Sequence, residues 1–196
     1  MGEEDFWREF SASSLHLEAA AGILDRETIL NLLFREADRA QRMKTGFCVL
    51  LLRIDQFCDR RAELGPETCD ELLRQLGARV IRRLRSYDAI GRYAEDTLLL
   101  VLPGCNPTGA ALVYERIRRK VLDLPFLVGG ENLRCSVHFG FAMSHGQSPL
   151  FVLHDAERLL DRARHGDQAP AADSRNSVAF DFDGVDGEKF GKDIVR

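Results

Sequence analysis

The sequence has little of what marks membrane, disulfide-rich or nucleic-acid-binding proteins. Its longest apolar run, Phe47–Leu52, is far below the roughly 18 residues that a membrane span needs, and Met1–Phe10 is acidic, unlike a signal peptide. The five cysteines are an odd number without a C-x-x-C pair, so neither a disulfide framework nor a zinc site is predicted. Lys and Arg total 27 against 31 Asp and Glu, which gives no reason to expect a nucleic-acid or membrane partner. We therefore expect a cytoplasmic protein with no resident metal or cofactor.

Length and composition favour one globular domain with short additions at its ends. The chain has 196 residues, of which 45% are hydrophobic and 30% charged, values that are ordinary for a soluble fold. In chain order we expect a helical segment, the domain and a flexible tail, over residues 1–17, 18–183 and 184–196. The first segment carries Phe6, Trp7 and Phe10, which favour packing on the domain or on a partner helix.

Hydrophobic periodicity predicts helices and strands that alternate along the chain. An apolar stripe indicates a helix after Asp25, which is a good N-cap residue. A continuous apolar segment indicates a central strand covered on both faces, and Gly129-Gly130 indicates a turn. The predicted helices cover residues 26–42, 66–85, 107–122 and 149–165, and the predicted strands 47–55, 89–93, 98–102, 134–142 and 178–182. This order predicts an α/β fold in which a mixed central β-sheet is flanked by helices.

Several short motifs along most of the chain stand in the order and spacing of one known family. In chain order the matching segments are Ala20–Arg26 (L-T-G-L-x-N-R in the family), Leu51–Phe57 (L-L-D-I-D-x-F), Gly65 with Asp70 (G-H-x-x-G-D), Arg92–Leu98 (R-Y-G-G-D-E-F) and Ser136–Ala142 (T-V-S-I-G-V-A). The chain resembles the GGDEF domain, the diguanylate cyclase family, over roughly residues 18 to 180. The resemblance implies the sandwich fold of nucleotidyl cyclases and a role in cyclic di-GMP signalling.

In that family, two GTP-loaded domains meet and join their nucleotides into cyclic di-GMP. The resemblance implies that two carboxylates hold the divalent ions of the substrate, and that glycines in the signature turn admit the phosphates. Here Arg53 stands in place of the first of these carboxylates, while Asp55 and Asp96 are retained. A guanidinium and a divalent cation repel each other, so the resemblance implies a degenerate member without cyclase activity.

The other positions of the implied active site also differ from the family pattern. Arg61 stands where the family reads guanine with Asn, which leaves Asp70 as the only member of that pair. Ala94 and Glu95 replace the two glycines of the signature turn. We expect Arg53 to pair with Asp96 or Asp55 as the remnant of a metal site. The alternative is that Arg53 and Arg61 bind a phosphate or an acidic peptide themselves.

One family feature is intact, the R-x-x-D pattern formed by Arg85 and Asp88. The resemblance implies an inhibitory cyclic di-GMP site there, with Arg116 as the third residue and Arg118 in reserve. Arginine can bind phosphate or a purine edge, and a carboxylate can accept hydrogen bonds from guanine. The alternative is a structural turn at the end of a helix.

These observations leave three hypotheses for function. The leading one is an inactive GGDEF-like module that binds cyclic di-GMP and relays its presence to a protein signalling partner, with a second copy of the chain as a further candidate partner in a homodimer. The second is a protein-interaction scaffold that binds no nucleotide. The third is a residual or altered diguanylate cyclase.

Overall fold

The computed structural model describes residues 22–165 and 178–181. Within them the helices are α1 (Arg26–Met43), α2 (Phe57–Leu64), α3 (Pro66–Ile81), α4 (Pro107–Ile117, continued by a π-helical turn Arg118–Leu122) and α5 (Pro149–His165). The strands are β1 (Phe47–Ile54), β2 (Ala89–Ala94), β3 (Thr97–Pro103), β4 (Phe126–Val128), β5 (Glu131–Leu133), β6 (Val137–Met143) and β7 (Val178–Asp181). The segment of residues 1–17, the tail 184–196 and the motif residues Ala20 and Ala21 lie outside the described residues.

A mixed sheet organises the fold, as the sequence predicts. Its order is β2-β3-β1-β6-β7, with β7 parallel to β6 and the other pairs antiparallel. The apolar strand β1 lies in the middle, and β7, from the strand predicted over residues 178–182, lies at one border. The predicted strands over residues 89–93 and 98–102 form a hairpin, β2 and β3, across Glu95 and Asp96. The fold class is thus an α/β sandwich.

The two faces of β1 are buried in two different layers of the core. Cys48, Leu50 and Leu52 pack in the cluster that contains the apolar stripes of α3 and α4. Val49 and Leu51 pack in the other cluster, with α1 and α5. Because side chains alternate along a strand, Arg53 belongs to the face that α5 covers.

Three details differ from the expectation. Residues 57–64 form helix α2, which has too few apolar positions for a clear stripe. The turn at Gly129-Gly130 joins two strands of three residues each, too short for alternation to show. The helix expected over residues 66–85 ends at Ile81, where the chain enters tighter turns. No helix in the described part of the chain is both long and apolar enough to cross a membrane.

Candidate functional site

Arg53 lies at the end of β1 among groups from two other elements. Its Nε is 3.5 Å from Asp96 Oδ2 and donates a hydrogen bond to Thr97 Oγ1 at 3.2 Å. Its Nη1 donates to Asp161 Oδ1 on α5 at 3.2 Å. Thr97 is fully buried and donates its hydroxyl proton to Asp96 Oδ1 at 2.6 Å. The guanidinium is therefore placed between two carboxylates, and one of them is the retained Asp96.

Two more arginine–carboxylate pairs lie beside the same turn between β2 and β3. Arg61 on α2 donates to Glu95 Oε2 at 2.9 Å. Arg92 on β2 donates to Asp70 Oδ1 on α3 at 2.7 Å and to the Glu95 carbonyl at 3.2 Å. The turn thereby connects α2, α3 and the β2–β3 hairpin through charged groups.

Asp55, the other carboxylate that we expected to pair with Arg53, contacts a histidine instead. Its Oδ1 lies 3.2 Å from Nε2 of His138 on β6, and His138 is the register partner of Arg53. The structure thereby places His138 at the rim of the candidate site. Of the two carboxylates expected for Arg53, the structure gives it Asp96.

Each of the three arginines is paired with at least one carboxylate, and the five carboxylates of this region outnumber the three guanidinium groups. Exposed ion pairs contribute about 0–1 kcal/mol each, and the exposed partners Glu95 and Asp161 belong to this class. The Arg92–Asp70 pair is better shielded, with 20% and 15% of the two side chains exposed. Within the residues that the structure describes, no group of three or more His, Cys, Asp or Glu is arranged to hold a metal ion.

The second candidate site is the turn that follows α3. Asp88 Oδ2 accepts a hydrogen bond from the backbone N–H of Arg85 at 2.8 Å, and the Asp88 N–H donates to the Arg85 carbonyl at 3.1 Å. These bonds agree with the structural-turn interpretation. They leave the Arg85 guanidinium exposed, where it donates to the Tyr87 hydroxyl at 2.9 Å.

Helix α4 brings Arg116 to this turn. Arg116 donates to the Arg83 carbonyl at 2.8 Å, at the end of α3. Burial raises the pKa of the Asp88 carboxyl, while its hydrogen bond from the Arg85 N–H and the positive charges of Arg85 and Arg116 act in the opposite direction. The three residues expected at a cyclic di-GMP site are thus neighbours. Arg118, the reserve, is held by Glu115 in two contacts of 3.3 Å.

Sequence reasoning missed Asp161 as a part of the first site. It lies on the partly exposed side of α5, 108 residues from Arg53 in sequence, and no motif marks it. A possible signal is the placement of an acidic residue beside the apolar stripe of α5, but that signal does not name a partner.

The family profile described as "Diguanylate cyclase, GGDEF domain" matches residues 16–169. The diguanylate cyclase DosC of Escherichia coli is 28% identical over 160 residues, which cover 81% of this chain and 34% of DosC. The response regulator PleD of Caulobacter vibrioides is 30% identical over 131 residues, which cover 66% of this chain and 28% of PleD. The chain therefore spans about a third of the length of these relatives.

Solved structures agree on the fold. The GGDEF domain of YfiN (TpbB) from Pseudomonas aeruginosa superposes with a TM-score of 0.71 at 21% identity, covering 81% of this chain and 98% of that domain. The GGDEF domain of DgcB from Caulobacter crescentus, crystallised with cyclic di-GMP, has a TM-score of 0.69 at 22% identity, with coverages of 79% and 90%. Because the profile covers most of the sequence and the observed sheet is that of these domains, the chain belongs to the GGDEF domain family.

Proposed function

We propose that this chain is a GGDEF domain that does not synthesise cyclic di-GMP, but binds it at Arg85, Asp88 and Arg116 and relays its presence to a protein partner. The observation that carries the proposal is that α4 places Arg116 on the Arg83 carbonyl, beside the turn that Arg85 and Asp88 form. Arg116 comes from a different helix, and its charge acts on the same Asp88 carboxyl that closes the turn.

The chemistry of the three side chains suits a cyclic dinucleotide. Guanidinium groups form charge-assisted hydrogen bonds to phosphate oxygens or to the acceptor edge of guanine. One Asp88 oxygen accepts the backbone N–H of Arg85, and a carboxylate has further lone pairs that can accept from guanine. The neighbouring exposed arginines Arg82 and Arg83 add positive potential, which attracts a dianion.

The surroundings of Arg53 support the loss of synthesis. The two divalent ions that the family resemblance implies do not fit the residues present, because the guanidinium lies 3.5 Å from Asp96 Oδ2. A single and a double positive charge about 4 Å apart repel by at most about 8 kcal/mol at an effective dielectric constant of about 20. Arg61 and Glu95 form an ion pair with each other in the same region, where the family binds guanine and phosphates.

Titration calorimetry with cyclic di-GMP tests the binding proposal. We expect wild-type protein to bind, and Arg85→Ala, Asp88→Asn and Arg116→Ala each to weaken binding about 10- to 100-fold, the effect of a lost charge-assisted hydrogen bond. Asn at position 88 can still accept the N–H of Arg85, so the turn is retained. Arg42→Ala is the matched control and should leave binding unchanged, because it removes an exposed arginine from α1, which packs on the other face of the sheet. If titration of the wild-type protein with cyclic di-GMP releases or absorbs no binding heat, the scaffold hypothesis is favoured instead.

Incubation with GTP and Mg²⁺ or Mn²⁺, followed by chromatography, tests the absence of synthesis. We expect no cyclic di-GMP above the level of a blank. Product that disappears in Asp96→Ala would overturn this part of the proposal and establish a residual cyclase.

The relay to a partner is supported by one precedent in the same fold. Diguanylate cyclase SiaD of Pseudomonas aeruginosa was crystallised with its activator SiaC, and this chain superposes on it with a TM-score of 0.71 at 24% identity, covering 91% of this chain and 69% of SiaD. We expect a protein to co-purify with this chain only when cyclic di-GMP is added, and not with Arg85→Ala. Co-purification of the same protein with and without cyclic di-GMP would contradict the relay.

A further inference from the structure

An aromatic side chain, that of Tyr87, is exposed at the third position of the R-x-x-D turn. The exposed fraction of Tyr87 is 55%, although an aromatic ring gains free energy when it is buried. Asp88 Oδ2 accepts the Arg85 N–H at 2.8 Å, and the Asp88 N–H donates to the Arg85 carbonyl at 3.1 Å, so hydrogen bonds fix the backbone around Tyr87. The turn therefore presents an aromatic ring to solvent directly between Arg85 and Asp88.

The hydroxyl end of Tyr87 holds the guanidinium of Arg85. Arg85 Nη1 donates a hydrogen bond to the Tyr87 hydroxyl at 2.9 Å, and Arg85 Cζ lies 5.8 Å from the centroid of the ring. In the pair of Arg79 and Phe126 the same distance is 4.1 Å, as expected for a guanidinium that lies over the face of a ring. The longer distance and the hydroxyl contact place Arg85 beyond the hydroxyl oxygen. Arg85 thus leaves the faces of the Tyr87 ring uncovered.

We propose that Tyr87 is the stacking residue of this site, on whose ring one guanine of cyclic di-GMP lies, an inference that rests on the proposed binding of cyclic di-GMP. Every nucleobase has a π face, and stacking on an aromatic side chain strengthens nucleotide binding. Asp88 accepts hydrogen bonds in the plane of the base, whereas Tyr87 contacts its face, so the two contacts do not compete. The hydroxyl contact also fixes Arg85 before the ligand arrives, which reduces the entropy lost on binding.

Titration calorimetry of the full chain with cyclic di-GMP separates the role of the ring from that of the hydroxyl. Tyr87→Ala removes both, and we expect binding to weaken about 10- to 100-fold, the effect of a lost base–aromatic stack. Tyr87→Phe keeps the ring and loses the exposed hydrogen bond from Arg85, so we expect its affinity to stay within about 3-fold of wild type. Phe34→Ala is the matched control and should bind as wild type does, because it removes an exposed aromatic ring from α1, which packs on the other face of the sheet.

The outcomes distinguish a failure of stacking from a failure of the site itself. If wild-type protein binds cyclic di-GMP and Tyr87→Ala binds it equally well, the stacking role is wrong while the binding site stands. An equal loss in Tyr87→Phe and Tyr87→Ala would also overturn the stacking role, because the hydroxyl and not the ring would then carry the effect. If wild-type protein does not bind cyclic di-GMP, both the site and the stacking role are wrong.

Nuclear magnetic resonance of protein with isotope-labelled tyrosine rings detects the stack directly. The chain has three tyrosines, and the signal of Tyr87 is the one that is missing from the spectrum of Tyr87→Phe. The ring current of a purine shifts protons that lie over its face upfield, so saturation with cyclic di-GMP should move the Tyr87 ring signals upfield. Tyr93, whose hydroxyl donates to Glu157 on α5, is the internal reference and should not shift. An unshifted Tyr87 signal at saturation would contradict stacking.

Discussion

A single residue without a side chain controls how closely α5 approaches the sheet. Gly140 lies in β6, and a Cβ atom built there would overlap with the Ala156 carbonyl and lie 2.7 Å from the Leu160 backbone nitrogen. Both groups belong to α5 and cannot rotate away as a side chain could. The close approach also positions the Asp161 side chain near Arg53, so Gly140 supports the ion pairs of the candidate site.

Gly140→Ala should destabilise the fold, because the new methyl group has to displace the backbone of α5. We expect a loss of about 3 kcal/mol in the free energy of unfolding, the upper part of the usual range for overpacking. Urea unfolding followed by circular dichroism measures it. Gly46→Ala is the control, since a Cβ there would meet its neighbours at 3.7 and 4.0 Å, and a midpoint that falls equally in both variants would contradict this account.

The stability of a helix also depends on hydrogen-bond partners for the unpaired backbone groups at its ends, and α1 shows this best. Asp25 precedes α1, and its Oδ1 accepts the Thr28 N–H at 2.8 Å while its Oδ2 accepts the Thr28 hydroxyl at 3.0 Å. These bonds satisfy one of the unpaired N–H groups of the first turn. They also lower the pKa of the Asp25 carboxyl below its ordinary value of 3.8.

Asp25→Ala should lower the free energy of unfolding by about 1 kcal/mol at neutral pH, the usual effect of losing an N-cap. Because the folded pKa of Asp25 is depressed, its contribution is complete above the unfolded value and is lost as pH falls through the folded value. Asp25→Asn retains an acceptor oxygen without the titration. We expect the wild-type advantage over Asp25→Asn to shrink below about pH 4, and thermal unfolding across pH 3 to 7 checks it. A constant difference at every pH would refute the role of the charge.

For the molecule as a whole, the central strand β1 contributes side chains to both layers of the core, as its neighbour β3 also does. Leu50 points into the layer with α3 and α4, and Leu51 points into the layer with α1 and α5. Both side chains are completely buried. A domain built in this way is expected to lose both layers together.

Leu50→Ala and Leu51→Ala should therefore affect the same unfolding transition. We expect each to cost about 2–5 kcal/mol, the range for a buried Leu→Ala change, and to leave one calorimetric peak. Leu112→Ala is the control, because 59% of Leu112 is exposed. Two resolved peaks in either core variant would show that the layers unfold independently.

Local patterns in the sequence determined most of the elements and the family. The central strand β1, the β2–β3 hairpin, helix α5 and the capping residue Asp25 follow from apolar periodicity and residue preference, which act over a few neighbouring residues. The family motifs identified the GGDEF domain for the same reason, since each motif is a short contiguous stretch. Helix α2 and strands β4 and β5 were not predicted, because their segments are short and have weak apolar periodicity.

Only the tertiary structure decided which side chains meet. The sequence predicted that Arg53 pairs with Asp96 or Asp55. The fold placed the Arg53 guanidinium between Asp96 and Asp161, the latter 108 residues away in sequence. The fold likewise brought Arg116 to the Arg83 carbonyl, beside the turn of Arg85 and Asp88. Such contacts depend on strand register and on the distance between helix and sheet. Both are set by packing of the whole core, and no local stretch of sequence encodes them.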